Sequence, residues 1–339
     1  MARINLLTIH YGKCYGAVMQ TYATCRLLEE AGHKVTVINL IHPRCRKTYL
    51  NWRKLPDLIK EFQFFLFKRK YFSPMTKKVY SMEEITLPDV DVTMVGSDQV
   101  WNRDITADFG TAFYLDFVPN NQKKVAFCSS FGKSEWKEDA EYTEVIKKEF
   151  CKFDAISIRE KSGVEIMKNI FGLSSINLQD PTIGYGKFEE LVYNKKKQAH
   201  IFTFLLNTSK NAQAKAKYIA KEIGVPLYKK NKINRYLFSG PRHWLTNIHN
   251  AEYVITDSFH GLALSVIFHK QFFVFCADPQ KFTRLKSLLD LLGLSNRYVD
   301  SIEDFNIRKS TILAPIDYTA VDSILMGERV KFKEFITSI

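Results

Sequence analysis

Asp257, Ser258, Phe259, His260 and Gly261 stand between a strand pattern, Tyr253–Thr256, and an apolar helix pattern, Leu262–Phe268. A carboxylate, a hydroxyl and an imidazole ahead of a glycine suit proton transfer near neutral pH, with the imidazole as general acid or base. Gly261 would let the backbone turn tightly, and Phe259 would point to the core. The plainer alternative is a helix start with Asp257 as N-cap and His260 as polar filler. In "MVGSDQVWN" (94–102), Ser97, Asp98, Gln99, Trp101 and Asn102 follow another strand. An aromatic plane beside a carboxylate and amides suits a sugar ring; the alternative is a capped helix start with Ser97 or Asp98 as N-cap and Trp101 in the core. In "ISIREKSG" (156–163), Arg159 ends a strand, where its planar fork could take a carboxylate or phosphate. The alternative there is a surface ion pair. "HYGKCYGAVMQTYA" (10–23) is a strand, a loop with Gly12 and Gly16, and a helix. It lacks both nucleotide-binding glycine patterns, although such a helix start can receive an anion.

Strand ends must hold these stretches, and the chain alternates accordingly. "INLLTI", "KVTVINL", "DVTMVGS", "KKVAFCSSF" and "DAISIRE" read as strands, with amphipathic helix patterns among them, including 135–150 and "KSGVEIMKNIFG". After "INLQDPTIGYG" a second series runs: strand "HIFTFLL", helix 210–223, strand "VPLYKK", helix "PRHWLTNIHNA" and the 252–275 segment. The expected class is α/β, with two Rossmann-like doubly wound domains facing across a cleft. Pro181 makes Asp180-Pro181-Thr182 the expected linker. The expected division is 1–183, 184–316, and a terminal helix, 317–339, packing back on the first domain. Ligands of such folds bind beyond the strand ends.

With 49 Lys plus Arg against 36 Asp plus Glu, the net charge of +13 attracts anions such as nucleic acid, acidic lipid or phosphorylated substrates. Six cysteines, at 14, 25, 45, 128, 151 and 276, show no paired spacing, so they read as reduced thiols in a cytoplasmic protein. "MARINLLTIHYG" is too short and polar for a signal peptide, and no apolar run reaches the length of a membrane span. No metal-ligand cluster is visible, and oligomeric state is not legible.

Six stretches occur in order: "GAVMQTYA", "VGSDQVWN" followed by "FYLDFVP", "KVAFCSSFG", "FDAISIREKSGVEI", "DPT" and "NAEYVITDSFHGLALSVIF". Each alone is loose. As an ordered set they resemble the polysaccharide pyruvyl transferase family over roughly residues 4–300. The resemblance implies a GT-B-like fold, with the first domain on the acceptor side and the second on the donor side. It implies transfer of an enolpyruvyl unit from phosphoenolpyruvate to two sugar hydroxyls, giving a cyclic ketal and phosphate. No cofactor is implied; phosphoenolpyruvate is the co-substrate. The family's turn histidine maps onto His260 and its strand-end arginine onto Arg159, with Asp257 able to orient the imidazole. Where several members carry an arginine two residues before that histidine, this chain has Ser258. Lys229 or Lys230, Lys281 and Arg284 are candidates to replace it, joining Arg159, Ser258 and Gly261 around the donor. Gly12, Gly16, Ser97, Asp98, Gln99, Trp101 and Asn102 would face the acceptor.

Residues 43–80 hold eleven Lys or Arg and two acids, with Leu55, Leu58, Ile59, Phe62, Phe65 and Leu66 at helical spacing. A basic amphipathic helix can lie on an anionic membrane surface, here the inner face, which would suit a lipid-linked acceptor. The alternative packs that stripe on the first domain. No nucleic-acid motif accompanies the charge. Two rival functions remain open: a GT-B nucleotide-sugar glycosyltransferase, because fold does not fix function, and a non-catalytic glycan-binding member.

Overall fold

Ile4, Leu6 and Leu7 are all buried, as are Val92, Met94 and Val95. Strands apolar on both sides belong in a parallel sheet covered on both faces. The computed structural model, which describes residues 1–46, 55–87, 90–193, 196–229, 237–276 and 279–339, contains such a sheet. Its strands are β1 (Arg3–Leu7), β2 (Lys34–Val37), β3 (Val92–Val95), β4 (Lys123–Ser129), β5 (Ala155–Ile158) and β6 (Ile176–Asn177). All neighbours are parallel, in the order β2-β1-β3-β4-β5-β6. The associated helices are α1 (Tyr15–Glu30), α2 (Leu55–Tyr71), α3 (Arg103–Thr106), α4 (Ala140–Phe150), α5 (Lys161–Ile166) and α6 (Pro181–Tyr185).

The second series supplies β7 (Gln198–Phe204), β8 (Ala251–Thr256) and β9 (Gln271–Val274), parallel and in that order. Its helices are α7 (Lys210–Ile223), α8 (Pro241–Asn250), α9 (Phe259–Ile267), α10 (Pro279–Leu291), α11 (Ile302–Ile307) and α12 (Lys309–Leu313); α13 (Tyr318–Thr337) follows. Single parallel bridges, Ile201 to Leu227 and Val274 to Tyr298, extend the sheet by one rung on each side. The expected strand "VPLYKK" is reduced to the Leu227 bridge. Both sheets share the 2-1-3-4-5 progression of doubly wound folds, so each has one point where the order reverses. That point lies between β1 and β3 in the first sheet and between β7 and β8 in the second.

Alternation sends Ile4, Leu6, Val37, Met94 and Phe127 to one face, against Cys25 and Leu28 of α1 and Phe332, Phe335 and Ile336 of α13. Leu7, Val95, Ala126 and Ile158 go to the other, against Ile146 and Phe150 of α4 and Ile166 of α5. In the second sheet Ile201, Ile255 and Phe273 pack with Ala216 and Ile219 of α7 and with Phe305 and Ile312.

Two compact units result. One takes the chain up to α2, Phe65–Tyr185 and Glu328–Ile339; the other takes Leu55–Phe64 and Gly186–Gly327. The change of unit falls at Tyr185–Gly186, beside the expected boundary. Asp180-Pro181-Thr182 itself lies inside the first unit, as the packed start of α6 rather than as a free linker. Asp180 is fully buried, and its Oδ1 accepts from the amide (2.9 Å) and hydroxyl (2.7 Å) of Thr182. Pro181 occupies the first position of α6, where a missing N–H costs nothing. The other correction concerns α2. It buries Phe64 and Phe67 and leaves Leu55, Phe62, Phe65 and Leu66 exposed, so the expected apolar stripe is not the packed face. Phe67 lies edge-on to Tyr22 and Phe72, and this aromatic contact selects the buried side. The rest of the basic segment, 47–54, lies outside the described residues. No helix among the described residues is long and apolar enough to cross a membrane.

Candidate functional site

At the carboxyl end of the first sheet, the loops after β1 and β3 are joined by Thr8 Oγ1, which donates to Ser97 O (2.8 Å). Gly96 permits that approach: a Cβ there would meet Leu6 and Thr8 at 3.0 Å. Gln20 of α1 reaches the same end, its Nε2 donating to Thr8 Oγ1 and Ile9 O, both at 3.0 Å. His10 is fully buried, with Nε2 3.2 Å from Ile38 O. Burial, with Lys68 second, lowers its pKa to about 4, so the ring is neutral at pH 7.

The 97–102 set separates on inspection. Trp101 is 2% exposed, stacks on Tyr114, and gives its Nε1–H to Phe113 O (3.0 Å). It is core rather than a plane offered to a sugar. The helix start is capped by Asn102, whose Oδ1 accepts from Asp104 N, and not by Ser97 or Asp98. Asn102 Nδ2 also holds Gln99 Oε1 at 2.9 Å. Ser97 is buried, its Oγ 3.4 Å from Asp180 Oδ2. Asp98 and Gln99 remain half-buried, and Asp98 sits in the left-handed region at φ 78°, a conformation Asp tolerates better than most. Gly12 turns at φ 71° ahead of α1, and Gly16 is buried in its first turn.

Arg159 is neither exposed nor in a surface pair. Its Nη1 lies 2.7 Å from Asp180 Oδ2 and its Nε 3.8 Å from Glu160 Oε2, all three side chains buried. Burial works against the charge, but Asp180, Glu160 and Asp98 outweigh it and hold the Arg159 pKa above its ordinary value. Glu160 Oε1 in turn accepts from Ser130 Oγ (2.6 Å) and Gly132 N (3.2 Å). One ionic network thus ties the ends of β3, β4 and β5 to the start of α6. The sequence reading missed Asp180, Glu160 and Ser130 as site residues. Only the aspartate before a proline was a local signal, and it signals a helix start.

In the second unit, Asp257 follows β8 at the reversal point. Its two carboxylate oxygens accept from Leu206 N (2.6 Å) and Asn207 N (2.9 Å), which fixes the loop leaving β7. Ser258, not Asp257, is the N-cap of α9, accepting from Gly261 N. Gly261 is helical; a Cβ there would lie 2.3 Å from Thr256 Oγ1, so the glycine serves close packing rather than a tight turn. His260 stands in the first turn of α9, 8% exposed, edge-on to Phe259. Lys229 is exposed and Arg284 half-buried on α10; Lys230 and the side chain of Lys281 lie outside the described residues. Among the described residues no group of His, Cys, Asp and Glu is placed to hold a metal ion.

The family model for polysaccharide pyruvyl transferase matches residues 15–276. No curated protein shows significant similarity to the chain. Among solved structures, a Staphylococcus aureus MnaA–UDP co-structure is 13% identical with a TM-score of 0.49, covering 95% of this chain and 91% of its own. Arabidopsis thaliana UGT89C1 is 11% identical with a TM-score of 0.47, covering 98% and 94%. A spinosyn rhamnosyltransferase, SpnG, with thymidine diphosphate is 10% identical with a TM-score of 0.43, covering 98% and 96%. Likenesses this distant carry no weight for function.

Proposed function

The chain belongs to the polysaccharide pyruvyl transferase family, and on that premise we propose that it is a ketal-forming enzyme using phosphoenolpyruvate. The acceptor is a sugar of a cell-surface polysaccharide or of its lipid-linked precursor, met on the cytoplasmic side. The observation that supports this most is the His260 turn: a buried imidazole at the carboxyl end of β8, beside the reversal point of its sheet, inside the matched region.

The chemistry asks little of the protein beyond proton handling and anion binding. Protonation of the donor's methylene carbon builds positive charge at the adjacent carbon. One sugar hydroxyl attacks that carbon and loses its proton. The carbon–oxygen bond to phosphate then breaks, and a second hydroxyl closes the ring, losing its own proton. His260 is the proposed acid or base, a role worth on the order of a hundred- to ten-thousand-fold. Lys229 and Arg284 are the proposed partners of the donor's anionic groups in place of the arginine that Ser258 replaces. Asp257 acts by fixing the neighbouring loop. Phosphate release from phosphoenolpyruvate in the presence of sugar acceptors, followed by phosphorus NMR, tests the reading. Release of nucleotide from a UDP-sugar instead, with no use of phosphoenolpyruvate, would overturn it.

A further inference from the structure

Four large apolar side chains of α2 face solvent: Leu55, Phe62, Phe65 and Leu66 are 57%, 58%, 51% and 45% exposed. Phe62, Phe65, Leu66 and Arg69 recur at three- and four-residue steps, and Leu55 lies one heptad before Phe62, so they share a face. A helix of a water-soluble fold turns such a face inward; here the inward side is filled by Phe64 and Phe67. Gln63 donates to Leu237 O (2.8 Å) and accepts from Ser239 N (3.2 Å). That clasp holds Leu237 and Phe238, 47% and 43% exposed, close to Gln63 of the helix. The face ends in exposed Arg69 and Lys70, next to Lys68, with no acid in the last turn.

Phenylalanine and leucine on one face, closed by a basic end, complement an anionic bilayer. The rings enter the boundary between headgroups and acyl chains, and the cations meet headgroup phosphates. We propose that α2 is an interfacial helix that seats the protein on an anionic lipid surface. The proposal does not depend on the transfer reaction above, because adsorption is read without substrate.

The test is sedimentation of the full chain with vesicles of phosphatidylcholine alone and of phosphatidylcholine mixed with phosphatidylglycerol, at low and high salt. The wild type should sediment with the mixed vesicles at low salt and be released as salt rises. The pair Arg69→Gln and Lys70→Gln should lose about thirtyfold in affinity, each cation near the surface being worth about 1 kcal/mol. Phe62→Ser with Phe65→Ser should lose on the order of tenfold or more, because apolar area no longer leaves water. Both positions are exposed, so circular dichroism should report an unchanged fold. Absence of sedimentation with mixed vesicles, or undiminished binding by the Phe62/Phe65 variant, overturns the proposal. So does light scattering that shows a wild-type dimer made monomeric by those two changes, which would assign the face to a second copy of the chain.

Discussion

His260 carries the proposed chemistry, and its environment sets how the test must be run. The ring is buried, so truncation leaves a void as well as removing a proton carrier. His260→Gln keeps most of the volume and should abolish transfer while the melting temperature stays close to wild type; turnover above about a tenth of wild type would remove the acid or base role. Arg159 calls for the opposite expectation. With Asp180 at 2.7 Å and both side chains buried, Arg159→Ala leaves an uncompensated carboxylate inside the protein. The cost should be about 3–5 kcal/mol in urea unfolding. Unchanged stability with tenfold weaker binding of phosphoenolpyruvate by calorimetry would instead make Arg159 a donor ligand. His10 adds a pH dependence. Its pKa falls from 6.5 unfolded to about 4 folded, so its contribution is complete above pH 6.5 and is lost as pH drops toward 4. The loss should amount to about 3 kcal/mol and should vanish in His10→Asn. An identical pH profile for that variant would mean that His10 is not the source.

His260 is held by a helix packed more tightly than its motif suggests. α9 approaches β8 so closely that Thr256 Oγ1 stands where a Cβ of residue 261 would be. Gly261→Ala should therefore cost about 1–3 kcal/mol by overpacking and shift His260 with the helix start. Measured stability within a few tenths of wild type would show that β8 yields easily. Strands β1–β5, β7 and β8 and helices α1, α4, α7 and α8 were legible, because period-two and period-3.6 patterns are local, whereas the two-residue β6 and helix α10 were not read. The partners were not. Asp180 and Arg159 are 21 residues apart and meet only through the β5–β6 crossover. Asp257 finds Leu206 and Asn207 some fifty residues away. Even on one helix, α2, periodicity gave an apolar stripe without saying whether it faced the core, since Phe64 and Phe67 form a second apolar side. Trp101 failed for the same reason: an indole reads alike in a sugar site and in a core.

At the scale of the whole chain, the first unit is closed by a segment far from the rest of it. Phe332 lies edge-on to Phe127 of β4, and its ring leaves Gly184 no room for a Cβ, which would sit at 2.8 Å. Phe332→Ala should cost about 3–5 kcal/mol, the usual loss for a buried aromatic ring. An effect below about 1 kcal/mol would mean that the sheet closes without it. This arrangement also bears on synthesis. A chain emerging at about 5–20 residues per second completes Tyr185 roughly 8 to 30 seconds before Glu328–Ile339 has been made. During that interval Phe127 and its sheet face have no cover from α13, while Gly186–Gly327 of the second unit is being made. Ribosome-stalled chains ending before residue 328 should be cut by protease within β1–β5, and those extending past residue 339 should be protected there. A cover made so late leaves the first-translated unit open to chaperones and to aggregation for as long as the second unit takes to be made.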